Sequence, residues 1–229
     1  MRMRKKKHGR ERLEALSSYL LSGPFLEPGR TAEAFPVQDR PLMLEIGCGK
    51  GDFVLGMSAR HPETNYVAME RVPDVLLAAV EKVAAVPVDS VRFLVGNAKN
   101  LLDYFAPATF DGIYLNFSDP WPKAGHVKRR LTYRDFLAPY RTVLKPGGFV
   151  ALKTDNAALF SFSLESFSEN GWRCEDITDD LHHSVWNRDN VVTEYERNFS
   201  EKGFSIHRVV AYPPEGNPPE ERPDPDRAG

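Results

Sequence analysis

Leu42-Met43-Leu44-Glu45-Ile46-Gly47-Cys48-Gly49-Lys50-Gly51 runs from a mostly apolar segment straight into three alternate glycines. An apolar run that stops at glycines, followed from Phe53 by apolar residues at helical spacing, predicts a strand, a tight turn and a helix. At the exit of the first strand of a doubly wound sheet, such a turn lets backbone approach a ligand closely. A side chain there would occupy the ligand's space or forbid a left-handed φ. Gly47, Gly49 and Gly51 are therefore candidate cofactor contacts. Glu70 closes the next apolar run 19 residues after Gly51, where a carboxylate can accept both hydroxyls of a ribose. The ligand this predicts is an adenosine derivative.

The glycine spacing narrows the choice. A nicotinamide site wants G-x-G-x-x-G, whereas the residue three after Gly49 is Asp52 and the pattern is E-x-G-x-G-x-G. Glu45, just before the turn, would repel a pyrophosphate but attract the ammonium or sulfonium of S-adenosylmethionine. Asn97, in Gly96-Asn97-Ala98 after the third apolar run, is placed to offer its carbonyl to an adenine amino group. A tight turn without a ligand is the competing reading of the glycines, and a turn former that of Asn97.

Outward from this stretch, β-rich and helix-like segments alternate. Leu42 to Ile46, Tyr66 to Met69, Val91 to Val95, Gly112 to Phe117, Phe149 to Leu152 and Phe204 to Ala211 read as strands. Phe53 to Ala59, Val75 to Ala85, Tyr133 to Leu144 and Ala157 to Glu169 read as helices, with Asp74 and Thr132 as N-caps. The alternation predicts an α/β fold, a mostly parallel doubly wound sheet with helices on both faces. At 229 residues and 41% hydrophobic content the chain suits one domain, expected over residues 13–212. Seven of the first twelve residues are Lys or Arg, a self-repelling run that reads as a mobile basic arm over 1–12. From Pro213 to Gly229, six prolines and five acids against two arginines read as a disordered tail.

Net charge is -2, so a nucleic-acid partner would have to be held by clustered cations rather than a global field. No apolar run approaches the ~20 residues of a membrane span, and no secretory segment is visible, so a cytoplasmic protein is expected. Cys48 and Cys174 are too few for a disulfide framework and have no metal-ligand spacing; no metal is expected. The adjacent His182 and His183 read as non-ligands for the same reason.

Downstream, Asn116-Phe117-Ser118-Asp119-Pro120-Trp121-Pro122-Lys123 ends a strand with a carboxylate, two prolines, an aromatic ring and a cation. These are the groups needed to grip a flat base where chemistry is done on it. Asp119 falls next along the sheet edge from the glycine turn, so the two motifs should face each other. The prolines stiffen the loop, and Trp121 either covers a base or anchors the loop. From Pro120 to Arg134 there is no acid, while Lys123, Lys128, Arg129, Arg130 and Arg134 are cationic, which suggests a phosphate-binding surface. Lys153-Thr154-Asp155-Asn156 and Thr193-Glu194-Tyr195-Glu196-Arg197 should reach the same edge. The carboxylates of Asp155 and Glu196 suit the N–H donors of guanine's Watson–Crick edge, while each taken singly reads as an exposed cap or a salt bridge.

Taken together, E-I-G-C-G-K-G, N-F-S-D-P-W-P-K, K-R-R-L-T from Lys128 to Thr132, K-T-D-N and T-E-Y-E resemble the bacterial tRNA (guanine-N7-)-methyltransferases over residues 40 to 211. The resemblance implies a class I methyltransferase, Rossmann-like, with a seven-stranded sheet. It also implies transfer of a methyl group from S-adenosylmethionine to N7 of a guanine in the variable loop of tRNA. On that resemblance Glu45, Glu70, Asn97 and Asp119 would line the cofactor pocket, with Asp119 also the catalytic residue. Lys123, Asp155 and Thr193, Glu194, Tyr195 and Glu196 would hold the substrate, and Lys128, Arg129 and Arg130 would contact RNA. No membrane, metal or obligate protein partner is expected, the protein acting as monomer or homodimer. Two departures stand out: Asn97 replaces a frequent acid, and Ala124-Gly125 replaces more basic residues. The rival readings are a methyltransferase for another RNA or DNA base, a non-catalytic RNA-binding subunit, and an NAD-dependent oxidoreductase that the glycine spacing disfavours.

Overall fold

The structure, a computed structural model, describes residues 6–27 and 29–216. In chain order its elements are α1 (Gly9–Glu14), β1 (Leu42–Ile46), α2 (Asp52–Arg60), β2 (Asn65–Glu70), α3 (Pro73–Ala84), β3 (Val91–Val95), α4 (Leu101–Tyr104), β4 (Phe110–Asn116), α5 (Arg134–Val143), β5 (Leu144–Thr154), α6 (Ala157–Glu169), β6 (Arg173–Thr178), α7 (Glu194–Ser200) and β7 (His207–Tyr212). The strands form one sheet in the order β3-β2-β1-β4-β5-β7-β6. The first five are parallel, and β7 runs antiparallel between β5 and β6. The expected seven-stranded, mostly parallel sheet is therefore present. The strand order reverses between β1 and β4, which puts the turns after both strands at the switch point where ligands bind in such sheets.

Period-two alternation sends side chains to two separate cores. Val67 and Met69 of β2 join Leu44, Ile46 and the inward residues of α4, α5 and α6 on one face. Tyr66 and Ala68 join Phe53 and Val54 of α2 and Leu76, Val80 and Val83 of α3 on the other. Leu44, Val67, Leu76 and Val80 are fully buried, each contributing about 2 kcal/mol by removal from water. Among the described residues no helix is long and apolar enough to cross a membrane.

Several local expectations are corrected. Asp74 does not cap α3, whose preceding residue Val72 makes no side-chain cap bond. Its Oδ1 instead accepts the Lys6 backbone N–H at 3.2 Å. Thr132 does not cap α5, since its hydroxyl is buried against that of Ser163 at 2.8 Å. Lys6 to Arg12 are not a free arm: α1 lies on α3, with Lys6 Nζ 3.5 Å from Glu81 and Arg12 paired to the same carboxylate. Glu81 on α3 thus pairs with two of the charges whose repulsion suggested mobility. Residues 1–5 of the basic run and 217–229 of the Pro-rich tail lie outside the described residues. Strand β6 carries no apolar run, and its burial pattern is that of a partly exposed sheet edge.

Candidate active site

The turn after β1 is held by backbone bonds before any ligand is considered. Gly47 and Cys48 donate to the Met69 carbonyl at 2.8 and 3.0 Å, tying the turn to the end of β2. Gly47 and Gly49 sit at φ 81° and 55°, and a Cβ on either would face open space. The two glycines thus present bare backbone to a cavity. Gly51 has a different role from the ligand contact expected of it. A Cβ there would lie 2.9 Å from that of Ala79, so this glycine lets the start of α2 pack against α3.

Glu45, at the end of β1, is 4% exposed. Its Oε1 accepts from Asn116 Nδ2 at 3.1 Å, whereas Oε2 is buried and finds no partner among the described residues. Burial pushes this carboxyl up to about 7, with the Asn116 bond, the nearby Lys153 and, more weakly, the Val54 backbone N–H, which lies too far off to make a full hydrogen bond, opposing the shift. An orphaned carboxylate oxygen is an expensive thing to bury, and it suits an incoming cation. Glu70 accepts from Gly49 N at 3.3 Å and from Val72 N at 2.9 Å, which fixes its carboxylate at the pocket rim. Asn97 lines the same pocket, but its Oδ1 already accepts the Lys99 backbone N–H at 3.1 Å. Its expected carbonyl contact to adenine would have to share that oxygen.

A cavity of about 580 Å³ is lined by Gly47, Glu70, Asn97, Asp119, Trp121 and Arg129, among others. A second of about 320 Å³, with Glu45, Gly49, Thr193 and Tyr195, shares Gly47 and Phe117 as walls. The glycine turn and the Asp119 loop thus meet, as the sheet order requires.

The loop that carries Asp119 departs from β4 with Phe117 at φ 52°, and Trp121 follows at φ 42°. Both are left-handed positions that side-chain-bearing residues avoid, so the surroundings must hold them. Phe117 N donates to the Lys153 carbonyl at 2.8 Å. Arg130, expected on RNA, donates instead to the carbonyls of Pro120 and Trp121 at 3.0 and 3.3 Å, and lies 4.4 Å over the Phe162 ring. Its guanidinium is a clamp on the loop. Trp121 is half-buried, edge-on to His126 and under the Arg129 guanidinium at 4.9 Å. Asp119 itself is exposed, with no hydrogen-bond or ion-pair partner among the described residues.

The facing wall comes from α7. Thr193, its N-cap, is buried and accepts the Glu196 N–H at 3.1 Å, so it shapes the helix start. Tyr195 stacks on Phe199 at 4.4 Å, lies 4.9 Å from Phe117, and points its hydroxyl to Asp155 at 3.5 Å. Glu194 pairs with Lys50 at 3.3 Å across the pocket mouth. Glu196 is not the free guanine reader expected from its place in the motif. Its side chain is fully buried between Lys153 Nζ at 2.7 Å and His182 Nε2 at 2.8 Å. Burial alone would raise this carboxyl, but Lys153, His182 and Asn190 more than reverse it and hold it below the ordinary range. Lys123 and Lys128 are exposed beside the loop. Sequence reasoning had no role for Asn116, Lys153 or Phe199. All three stood in or beside quoted motifs, but what Asn116 and Lys153 hold is distant in the chain, and Phe199 meets Tyr195 one helical turn away.

Residues 39–209 match a family model described as "Putative methyltransferase". The chain is 45% identical over 212 residues to a tRNA (guanine-N(7)-)-methyltransferase of Lachnoclostridium phytofermentans, covering 93% of this chain and 98% of that one. It is 45% identical to the protein of the same name from Streptococcus sanguinis, covering 92% and 99%. Among solved structures it is similar to the 16S rRNA methyltransferase KamB, with a TM-score of 0.58 at 13% identity, covering 93% of this chain and 97% of that one. At that identity the likeness speaks for the fold alone.

Proposed function

The chain belongs to the tRNA (guanine-N(7)-)-methyltransferase family, and from that premise we propose that it carries the methyl group of S-adenosylmethionine to N7 of a guanine in the variable loop of tRNA. One observation carries the reading. The partnerless Glu45 oxygen and the exposed Asp119 open onto cavities with shared walls, Gly47 and Phe117.

The residues present fit S-adenosylmethionine. Glu45 would take the ammonium, the bare backbone of Gly47 and Gly49 would flank the middle of the molecule, Glu70 would hold the ribose hydroxyls, and Asn97 would lie beside the base. When bound, it supplies an electrophilic methyl group on sulfur. Guanine N7 has an unshared pair in the neutral base, so no proton need leave first and Asp119 need not be a strong base. Asp119 orients the purine and offsets the positive charge that develops on it. The rings of Phe117, Tyr195 and Phe199 form an aromatic wall for a base displaced from the tRNA fold, with Asp155 at its edge. On this reading the protein works in the cytoplasm, as a monomer or homodimer, with tRNA as its partner.

Lys123, Lys128 and Arg129 remain for the phosphates once Arg130 is assigned to the loop. If each neutralises one, log affinity for tRNA falls against log salt with a slope of roughly -2 to -3. Replacing all three by Ala should flatten the slope to near zero, and an unchanged slope would move the RNA grip elsewhere.

The function is tested with purified protein, labelled methyl donor and unmodified tRNA. The labelled product should become cleavable by borohydride and aniline, which distinguishes N7-methylguanine from methylated exocyclic amines. A tRNA lacking the variable-loop guanine should take up no label. Methylation that resists cleavage, or that persists in the control tRNA, rejects the assignment.

A further inference from the structure

We propose that Lys153 and Glu196 form a positioning device for methyl transfer, fixing the loop that carries Asp119 against the helix that carries Tyr195, and that Glu196 does not touch the guanine. This rests on the reading of the pocket given above.

Lys153 is the penultimate residue of β5 and is 6% exposed. Its carbonyl receives the N–H of Phe117, the first residue of the Asp119 loop, at 2.8 Å. Its ammonium lies 5.6 Å from the centre of the same residue's ring. The loop is therefore rooted on Lys153 by both main chain and side chain. The ammonium then donates to Glu196 Oε2 at 2.7 Å, Asn190 Oδ1 at 2.8 Å and the Val191 carbonyl at 3.0 Å, which occupies all three of its donors. Glu196 Oε1 accepts from Asn190 Nδ2 at 2.6 Å and faces His182 Nε2 at 2.8 Å. Both carboxylate oxygens are thus committed within the protein, and no accessible face remains for a base.

The neighbouring residue of Glu196 is Tyr195, whose ring forms the wall opposite the loop. A helix of seven residues does not hold its own shape or place in water. Apart from the pair, α7 is linked to the pocket rim by the Tyr195 ring and hydroxyl and by the exposed Lys50–Glu194 contact. Buried ion pairs add little net stability, so stability alone does not account for this one. What it adds is a fixed separation between two walls that are far apart in sequence.

The test is Glu196→Gln, Lys153→Met and the double variant, assayed on tRNA well below each protein's Tm. Each single change leaves a charge buried without its partner, and should lower kcat about 10- to 100-fold while the tRNA KM changes less than about threefold. Cofactor Kd of Glu196→Gln should also stay within about threefold. The double variant removes both charges and keeps an amide that can bond His182 and Asn190, so kcat should recover to within about fivefold of wild type. If Lys153→Met does not fold, Asn190→Ala takes its place, with a loss of about 3- to 10-fold in kcat at unchanged KM. Single variants that turn over like wild type would leave the pair a structural contact and overturn the proposal. A double variant no better than Glu196→Gln, with a raised tRNA KM, would return Glu196 to the substrate. Wild-type protein assayed alongside separates the two readings: if it is inactive the pocket assignment fails, and if it is active with unaffected singles only the positioning role fails.

Discussion

Asp119→Asn lowers kcat for tRNA methylation about 10²-fold or more, while the Kd for S-adenosylmethionine stays within about threefold of wild type. The first part follows from the loss of the only charge that the loop aims into the pocket from Asn116 to Pro122. Amide and carboxylate have the same shape, so the base is still met by a hydrogen-bonding group, but the developing purinium charge is no longer offset. The second part follows from position: the groups assigned to the cofactor's ammonium and ribose are Glu45 and Glu70. The substitution should also leave Tm unchanged, because Asp119 is exposed and bonded to nothing among the described residues. That separates it from most active-site changes, in which lost activity and lost fold are hard to tell apart. Single-turnover rates with saturating cofactor measure the effect, and near-normal turnover would remove Asp119 from the mechanism.

Glu45→Gln has the opposite balance, losing ligand affinity while gaining stability. Its carboxyl is pushed up to about 7 by burial. A folded-state value above the unfolded one favours the protonated form, so its contribution to stability is present below the unfolded value of 4.5 and lost as pH rises through 7. That difference corresponds to about 3 kcal/mol taken from the unliganded protein above neutral pH. An amide removes the penalty, so Glu45→Gln should raise the Tm of the unliganded protein at pH 8 by a few degrees. It should also weaken S-adenosylmethionine about 10²-fold, through loss of a buried charge-to-charge contact. In the wild type, affinity should rise with pH by up to about tenfold per unit below 7, as Glu45 ionises to meet the ammonium, and fall again above about 8, as the ligand amine loses its proton. Calorimetry across pH 5.5 to 9 measures this. A flat profile, or a Gln variant that binds normally, would mean that the ammonium goes elsewhere.

The parts of this protein that were legible in its sequence are those governed by local rules. Leu42 to Gly51 specifies a strand and a left-handed turn whatever surrounds it, and strand-helix alternation then fixes the sheet type and its binding edge. Asp119 could be placed opposite the turn for the same topological reason. What was not legible depends on partners distant in the chain. Arg130 looks like its neighbour Arg129 in a basic run, yet one clamps two carbonyls and the other lies over an indole. Glu196 sits in a motif that reads as a row of polar ligands, yet a helical turn directs Tyr195 outward and Glu196 inward onto Lys153. Gly51 belongs to the same alternate-glycine pattern as Gly47 and Gly49, but its constraint is a helix in the next βα unit. The short edge strand β6 escaped notice because a half-solvated edge needs no apolar run.

The left-handed backbone at Phe117 and Trp121 bears on whether this chemistry can be moved between scaffolds. Two unfavourable dihedral settings within five residues mean that the segment from Asn116 to Lys123, cut out as a peptide, would relax to another shape and withdraw its carboxylate. The octapeptide is therefore not a transplantable module. A designer grafting it into a different sheet would have to bring the neighbouring strand's carbonyl at Lys153 and the guanidinium at Arg130 as well, or obtain a loop of the right composition whose aspartate faces the wrong way.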